Sequence, residues 1–322
     1  MKWILGVSAI AVVVGLAATM TVPAQTITPD EATLKLFPSE TQGIGFVDIA
    51  GLKGAPLFND LILQKIPQFP QGLGEFAQAT GFNVEQDVDT VTAGNIALHD
   101  MLVIVRARYD SIKVQQFIQD KADHITTETY LGRTIYTPNV PSSSEPSNAG
   151  GVAFIDNLIV AGNVSAIKQA IDRMAAPAPS VVQNTALMDQ IRTIGAGNQI
   201  WAAGNFDLAM LGNRIPVPGN LGNLAQSLKG GTYQMRIDQD VHVKANGSFA
   251  SADMAKATTD MLRGLVAMAK LQISQDDNLS RLLDGLSIEN SGVNLTLSFN
   301  ASGDLLKQIQ ASKPGLGVGR QH

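Results

Sequence analysis

The chain has 322 residues, 45% of them hydrophobic and 16% charged, with a formal net charge of −5 and no cysteine. This length can bury one large core or two modest ones. The missing cysteines exclude disulfides, thiolate metal sites and cysteine nucleophiles. An acidic balance with no basic run argues against a nucleic-acid partner.

At the N-terminus, Lys2 precedes the uncharged apolar stretch Trp3–Met20, and Val22 and Ala24 follow at cleavage-site spacing. Residues 1–24 read as a secretory signal. The alternative is an uncleaved anchor, because about 18 apolar residues just span a bilayer. Both readings export the remainder, either free in the periplasm or held outside the cytoplasm on the inner membrane. In the second case the N-terminal segment is the membrane contact. A cysteine-free exported chain reads as bacterial. On that reading the five Asn-x-Ser/Thr triplets carry no glycan.

From Gly43 onward the periodicity gives a repeating order. GIGFVDIA is strand-like, and LGEFAQATG is a short helix closed by Gly81. DTVTAGNIAL and MLVIVRARYD are strands on either side of His99-Asp100, and SIKVQQFIQDKA is a helix. A strand near Gly132–Tyr136 leads into a Pro/Ser/Gly loop. GVAFI and LIVAG then form a hairpin across Asp156-Asn157, and a helix starts at Ser165. Residues 175–197 read as a linker.

The order then recurs. IWAAGNFDLA is strand-like and NLAQSLKG helical, and YQMRI and VHVKANGSF form a strand pair. Ser251–Leu271 is a long helix with a wide apolar arc, which predicts that it is well buried. GLSIE and VNLTLSF form a hairpin, and a helix runs through LLKQIQ. Phe46-Val-Asp48 echoes Phe206-Asp207, and AGNVSAIKQAI echoes SFNASGDLLKQI. The fold class is therefore α+β: two tandem similar units, each roughly β-α-β-β-α-β-β-α, with antiparallel sheets covered by helices on one face. The units span residues 30–182 and 198–312, with a flexible tail over residues 313–322.

Gly81, Asp87 and Gly132-Arg-Thr-Ile-Tyr136 match an outline seen in a group of uncharacterised exported bacterial proteins. The similarity covers much of Gly43–Met174. This resemblance implies export and a repeated α+β fold, and it implies no function.

Candidate chemistry is sparse. Gly72-Leu-Gly74-Glu-Phe-Ala77 fits a loose dinucleotide pattern, but the prolines before it argue against the strand that pattern needs. Ser165-Ala-Ile-Lys168 has an S-x-x-K spacing with no supporting motif, and a repeated serine at a helix start reads as an N-cap. The four histidines have no metal-ligand spacing. No catalytic residue, metal or cofactor is assigned. Asp48 and Asp207 are carboxylate candidates for a hydrolase, and each also suits a cap of the following turn. Met254, Met261, Leu265 and Met268 form one stripe on the long helix. The stripe reads either as core or as a groove for an apolar ligand or a partner. The leading expectation is a non-enzymatic exported binding protein of the cell envelope, with a groove between the two units. Its rivals are an envelope-assembly module and a carboxylate hydrolase.

Overall fold

The computed structural model describes residues 29–61, 71–97, 100–139, 150–205, 227–273 and 276–312. The N-terminal apolar stretch, His99, most of the Ser/Pro loop, Asp207 and the C-terminal tail lie outside them. No helix among the described residues is long and apolar enough to cross a membrane.

The first half opens with a short helix α1 (Glu31–Leu34), started by Asp30, whose carboxylate accepts the Thr33 N–H at 2.7 Å. Strand β1 (Gly43–Asp48) follows, then helices α2 (Ile49–Lys53), α3 (Pro56–Leu61), α4 (Gln71–Thr80) and α5 (Val84–Asp87). Next come β2 (Val88–Ala97), β3 (Asp100–Ala107), α6 (Ser111–Asp120), β4 (Ile125–Tyr130), β5 (Arg133–Pro138), β6 (Gly150–Ile155), β7 (Leu158–Asn163) and α7 (Val164–Ala175). Helix α8 (Thr185–Arg192) leads to β8 (Ile200–Gly204), β9 (Leu228–Ile237), β10 (Asp240–Phe249) and the long α9 (Ala252–Gln272). The described chain ends with α10 (Asp277–Asp284), β11 (Leu286–Ser291), β12 (Asn294–Ser302) and α11 (Gly303–Ser312).

The strands form one antiparallel sheet rather than two, in the order β11-β12-β10-β9-β8-β1-β2-β3-β7-β6-β5-β4. The joint is β1 against β8, with Phe46 opposite Trp201 and Val47 opposite Ile200. Two neighbouring rows of side chains across this sheet explain the layers. On one face the row runs Ile159, Val105, Val91, Val47, Ile200, Met235, Val243, Phe299, Leu286, apolar from end to end. On the opposite face it runs Val160, Ile104, Thr92, Phe46, Trp201 and then turns polar at Gln234, Lys244, Ser298 and Ser287. Successive residues of a strand point to opposite faces, so apolar runs such as Leu102–Val105 need cover on both sides. Strands that alternate, such as β10 and β12, need it on one.

The packing follows these rows. Over the mixed face, α7 and α8 bring Ile167, Ala170, Ile171 and Leu187 onto Ile104, Ile155, Val160 and Trp201. Over the uniformly apolar face, α4 and α6 bring Phe76, Val114, Phe117 and Ile118 onto the first half, with Phe76 and Phe117 rings 5.5 Å apart. Leu57, Phe58, Leu282 and Leu306 cover the second half of that face. The first half is thus a three-layer structure, where cover on one face was expected.

Several local expectations change. Residues 175–197 carry α8 and send Val181 and Leu187 into the core, and Val181 donates its N–H to Phe37 O at 2.8 Å. Leu228–Gly230, expected to be helical, open β9 instead. Before the expected strand near Gly132 lies another, β4, joined to β5 by a tight turn with positive φ at Leu131 and Gly132. Asn163, not Ser165, occupies the N-cap position of α7, and its side chain makes no cap bond there. Ser302 does cap α11, accepting the Leu305 N–H at 3.3 Å.

Candidate functional site

The stripe on α9 is at the surface. Met254 is 44% exposed, Met268 55% and Leu271 77%, while Met261 and Leu265 are half-buried. The expectation of a well-buried helix is corrected: its fully buried residues are Ala255, Thr258 and Thr259. At about 100° per residue these lie roughly a quarter turn from the methionine stripe. Small side chains let the helix sit close to the sheet, and both threonine hydroxyls bond within the helix, Thr258 to Met254 O and Thr259 to Ala255 O. Leu262 completes the contact, against Phe249, Leu295 and Ile288.

The helix starts at Ser251, whose hydroxyl accepts the Met254 N–H at 3.2 Å. Its far flank is basic, with both lysines in ion pairs and the arginine on a backbone carbonyl. Lys256 pairs with Asp260 at 2.5 Å and Lys270 with Asp284 at 2.6 Å. The Lys256 ammonium holds the Asp260 carboxyl below its ordinary pKa. Arg263 donates to Ile288 O at 2.7 Å. An apolar stripe of polarisable, rotatable side chains beside satisfied charges suits contact with a protein surface.

Asp48 is 2% exposed at the end of β1. Its carboxylate accepts the Gly51 N–H at 2.8 Å and starts α2. Burial raises its pKa against the lowering effect of that bond, and the charge of Asp89 adds to the rise. A capping role is therefore filled, and the side chain is closed off from solvent. Its expected partner, Asp207, lies outside the described residues, so the two are not seen together.

Between the halves lies a shallow depression of about 210 Å³, lined by Glu40, Thr41, Gln42, Asn184, Gln190 and Asn205 among others. Asn184 donates to Ser39 O and Thr41 O at 3.1 Å each. The Gln190 side-chain oxygen is buried there without a hydrogen-bond partner among the described residues. The seam therefore offers amides where an apolar groove was expected. On the open polar face, Asn246 bridges Thr232 and Thr296 at 3.0 and 2.9 Å, and His242 meets Asn300 at 2.8 Å. Among the described residues no three acidic or histidine side chains are placed to hold a metal. Lys168, the lysine of the S-x-x-K spacing, is engaged by Glu128 at 2.6 Å.

No protein-family model, curated protein or solved structure significantly matches this chain.

Proposed function

We propose that the chain is an exported, non-enzymatic binding protein of the bacterial cell envelope, and that its partner is another protein. The observation that carries this is the stripe Met254–Met261–Leu265–Met268, exposed at Met254 and Met268 and half-buried between them, with exposed Leu271 beyond it, on a helix whose two lysines are already paired. Long apolar side chains left on one helix face, when the other large exposed apolar residues among the described residues sit singly on separate elements, mark a contact surface. The seam supports a small apolar ligand poorly, because it is shallow and amide-lined. A hydrolase built on Asp48 is supported poorly too, since that carboxylate is buried and spent on a cap.

The same reading takes the two halves as copies of one unit with the joint β1–β8 as their pseudo-twofold. Outward from the joint, β1-β2-β3-β7-β6 is matched by β8-β9-β10-β12-β11. The hairpin β4–β5 is then an addition to the first copy, and the final helices part company: α7 packs on the mixed face, α11 on the apolar one.

The test is native mass spectrometry of the protein isolated gently from its own envelope, as wild type and as Met268→Glu/Leu271→Glu. A protein complex in the wild type that the double variant loses supports the reading. A reproducible small-molecule adduct on a monomer, retained by the variant, overturns it.

A further inference from the structure

A sheet of this kind has two edges, and their backbone groups are treated differently. At one edge, β11 and β12 close on the pair Ser291 and Asn294. Hydrogen-bonded and non-bonded pairs alternate from such a closing pair, so Leu286, Ile288 and Asn290 turn their N–H and C=O groups outward. The Ile288 carbonyl is taken by the Arg263 guanidinium from α9, which lies along this edge. That is a guarded edge.

The other edge is β4. Its hairpin closes on Tyr130 and Arg133 around the positive-φ pair Leu131-Gly132, so Thr126, Glu128 and Tyr130 face β5. The His124 carbonyl, in the same alternation, accepts the Asn139 N–H, and Thr126 O accepts the Thr137 hydroxyl. Ile125, Thr127 and Thr129 therefore point their backbone groups outward. The Ile125 N–H is taken by Ala122 O, in the single 3-10 turn that precedes the strand, while the Ile125 carbonyl and the backbone groups of Thr127 and Thr129 have no partner among the described residues. The strand has no proline, no lysine and no bulge, and Thr126 to Thr129 are exposed. It is also held rigidly. Tyr130 donates its hydroxyl to Asp172 at 2.9 Å, and Glu128 pairs with Lys168 at 2.6 Å, both on α7.

We infer that β4 is a homodimerisation edge, pairing antiparallel with β4 of a second copy across a twofold axis at Thr127. A twofold perpendicular to a sheet keeps each face on its own side, so opposed residues must share a face. This leaves registers centred on a residue. Centred on Glu128, two carboxylates meet, which is unfavourable. Centred on Thr127, the open groups find mates: Thr127 pairs with the partner's Thr127, and the Thr129 N–H meets the open carbonyl of the partner's Ile125. Thr126 then stands opposite the partner's Glu128, a hydroxyl beside a carboxylate. Pairing β4 onto β11 instead would propagate without closing, and Arg263 blocks it. The pairing stands apart from the α9 surface and does not depend on it.

The experiment is sedimentation velocity on the full chain over a range of concentrations. The expected species is a dimer. In Thr127→Pro the lost N–H points outward, so the β4–β5 ladder survives while pairing fails, and self-association weakens about tenfold or more. Thr127→Lys and Thr127→Glu cover the case in which the proline variant does not fold. Each alone is expected to be a monomer, and an equimolar mixture to restore the dimer. A wild-type monomer at every concentration overturns the inference, as does a dimer untouched by all three substitutions.

Discussion

Gly204 passes so close to Gly43 that a β-carbon added to it would stand 2.4 Å from the Gly43 Cα and 2.5 Å from the Gln42 carbonyl oxygen. Its φ of +147° is also one that side chains resist. This contact lies at the β1–β8 joint, the strand pairing that makes one sheet of the two halves. Gly204→Ala is therefore expected to destabilise the fold by about 1–3 kcal/mol or more. Gly74, inside α4, has open space where its β-carbon would go. Gly74→Ala is expected to stabilise by about 0.5–1 kcal/mol. Urea unfolding of the two variants measures both, and equal shifts would mean the joint is not tightly constrained.

Elements whose period matched their burial were legible in the sequence. The strands β2, β3, β6 and β7 and the alternation in β10 are of this kind, but the second cover of β3 was not legible: its run Leu102–Val105 is apolar on both faces, and cover on one face was expected. Strand β4 was not legible because only Ile125 in it is buried, and because its turn places a leucine at positive φ where asparagine is usual. Helix α10 was missed although Asp276 signals it, accepting the Asn278 and Leu279 N–H groups ahead of Leu282 and Leu283. The stripe on α9 was found, but its direction was misread. Two faces of that helix are apolar, and the smaller side chains won the sheet because they allow the closer approach.

Asp48 sets a pH dependence with a definite sign. Its folded pKa is raised above the ordinary aspartate value, chiefly by burial. The folded state therefore holds this proton more tightly than the unfolded chain does. Stability from this group is present below the unfolded pKa and is lost as pH rises through the folded one. Asp48→Asn keeps an acceptor for the Gly51 N–H and removes the buried charge. It is expected to be at least as stable as the parent at pH 7 and to flatten the profile on the acid side. Asp48→Ala leaves that N–H unpaired and is expected to cost about 1 kcal/mol. Thermal melts from pH 3 to 7 on the three proteins separate these effects, and an unchanged profile in Asp48→Asn would assign the acid-side slope elsewhere.

Burial pushes the phenols of Tyr109 and Tyr233 up to about 12. Tyr109 also donates its hydroxyl to Leu158 O at 3.3 Å, and the Asp156 charge opposes its ionisation. Tyr130 is raised by its bond to Asp172. A phenol raised on folding holds its proton where the unfolded chain has lost it, so stability should decline from about pH 10 to 12. Absorbance near 295 nm during alkaline titration should show these tyrosines ionising late and together with unfolding. Tyr233→Phe removes one of them and should reduce the late amplitude while leaving the fold intact at neutral pH. Early ionisation of all four tyrosines would contradict the burial of this ring.

The two apolar faces of α9 should answer differently to substitution. Ala255 is fully buried against Phe249 and Leu295. Ala255→Leu should overfill that contact and destabilise by about 1–3 kcal/mol. Met268 and Leu271 are open to solvent, so Met268→Glu and Leu271→Glu should shift stability by no more than about 0.5 kcal/mol. Circular-dichroism melts give the stability readout, and complex retention on isolation from the envelope gives the binding readout. If the glutamate variants melt as the parent does and lose the partner, the stripe is a contact surface. If they unfold it as Ala255→Leu does, the stripe is held by packing within the chain, and the protein-partner reading loses the observation that carries it.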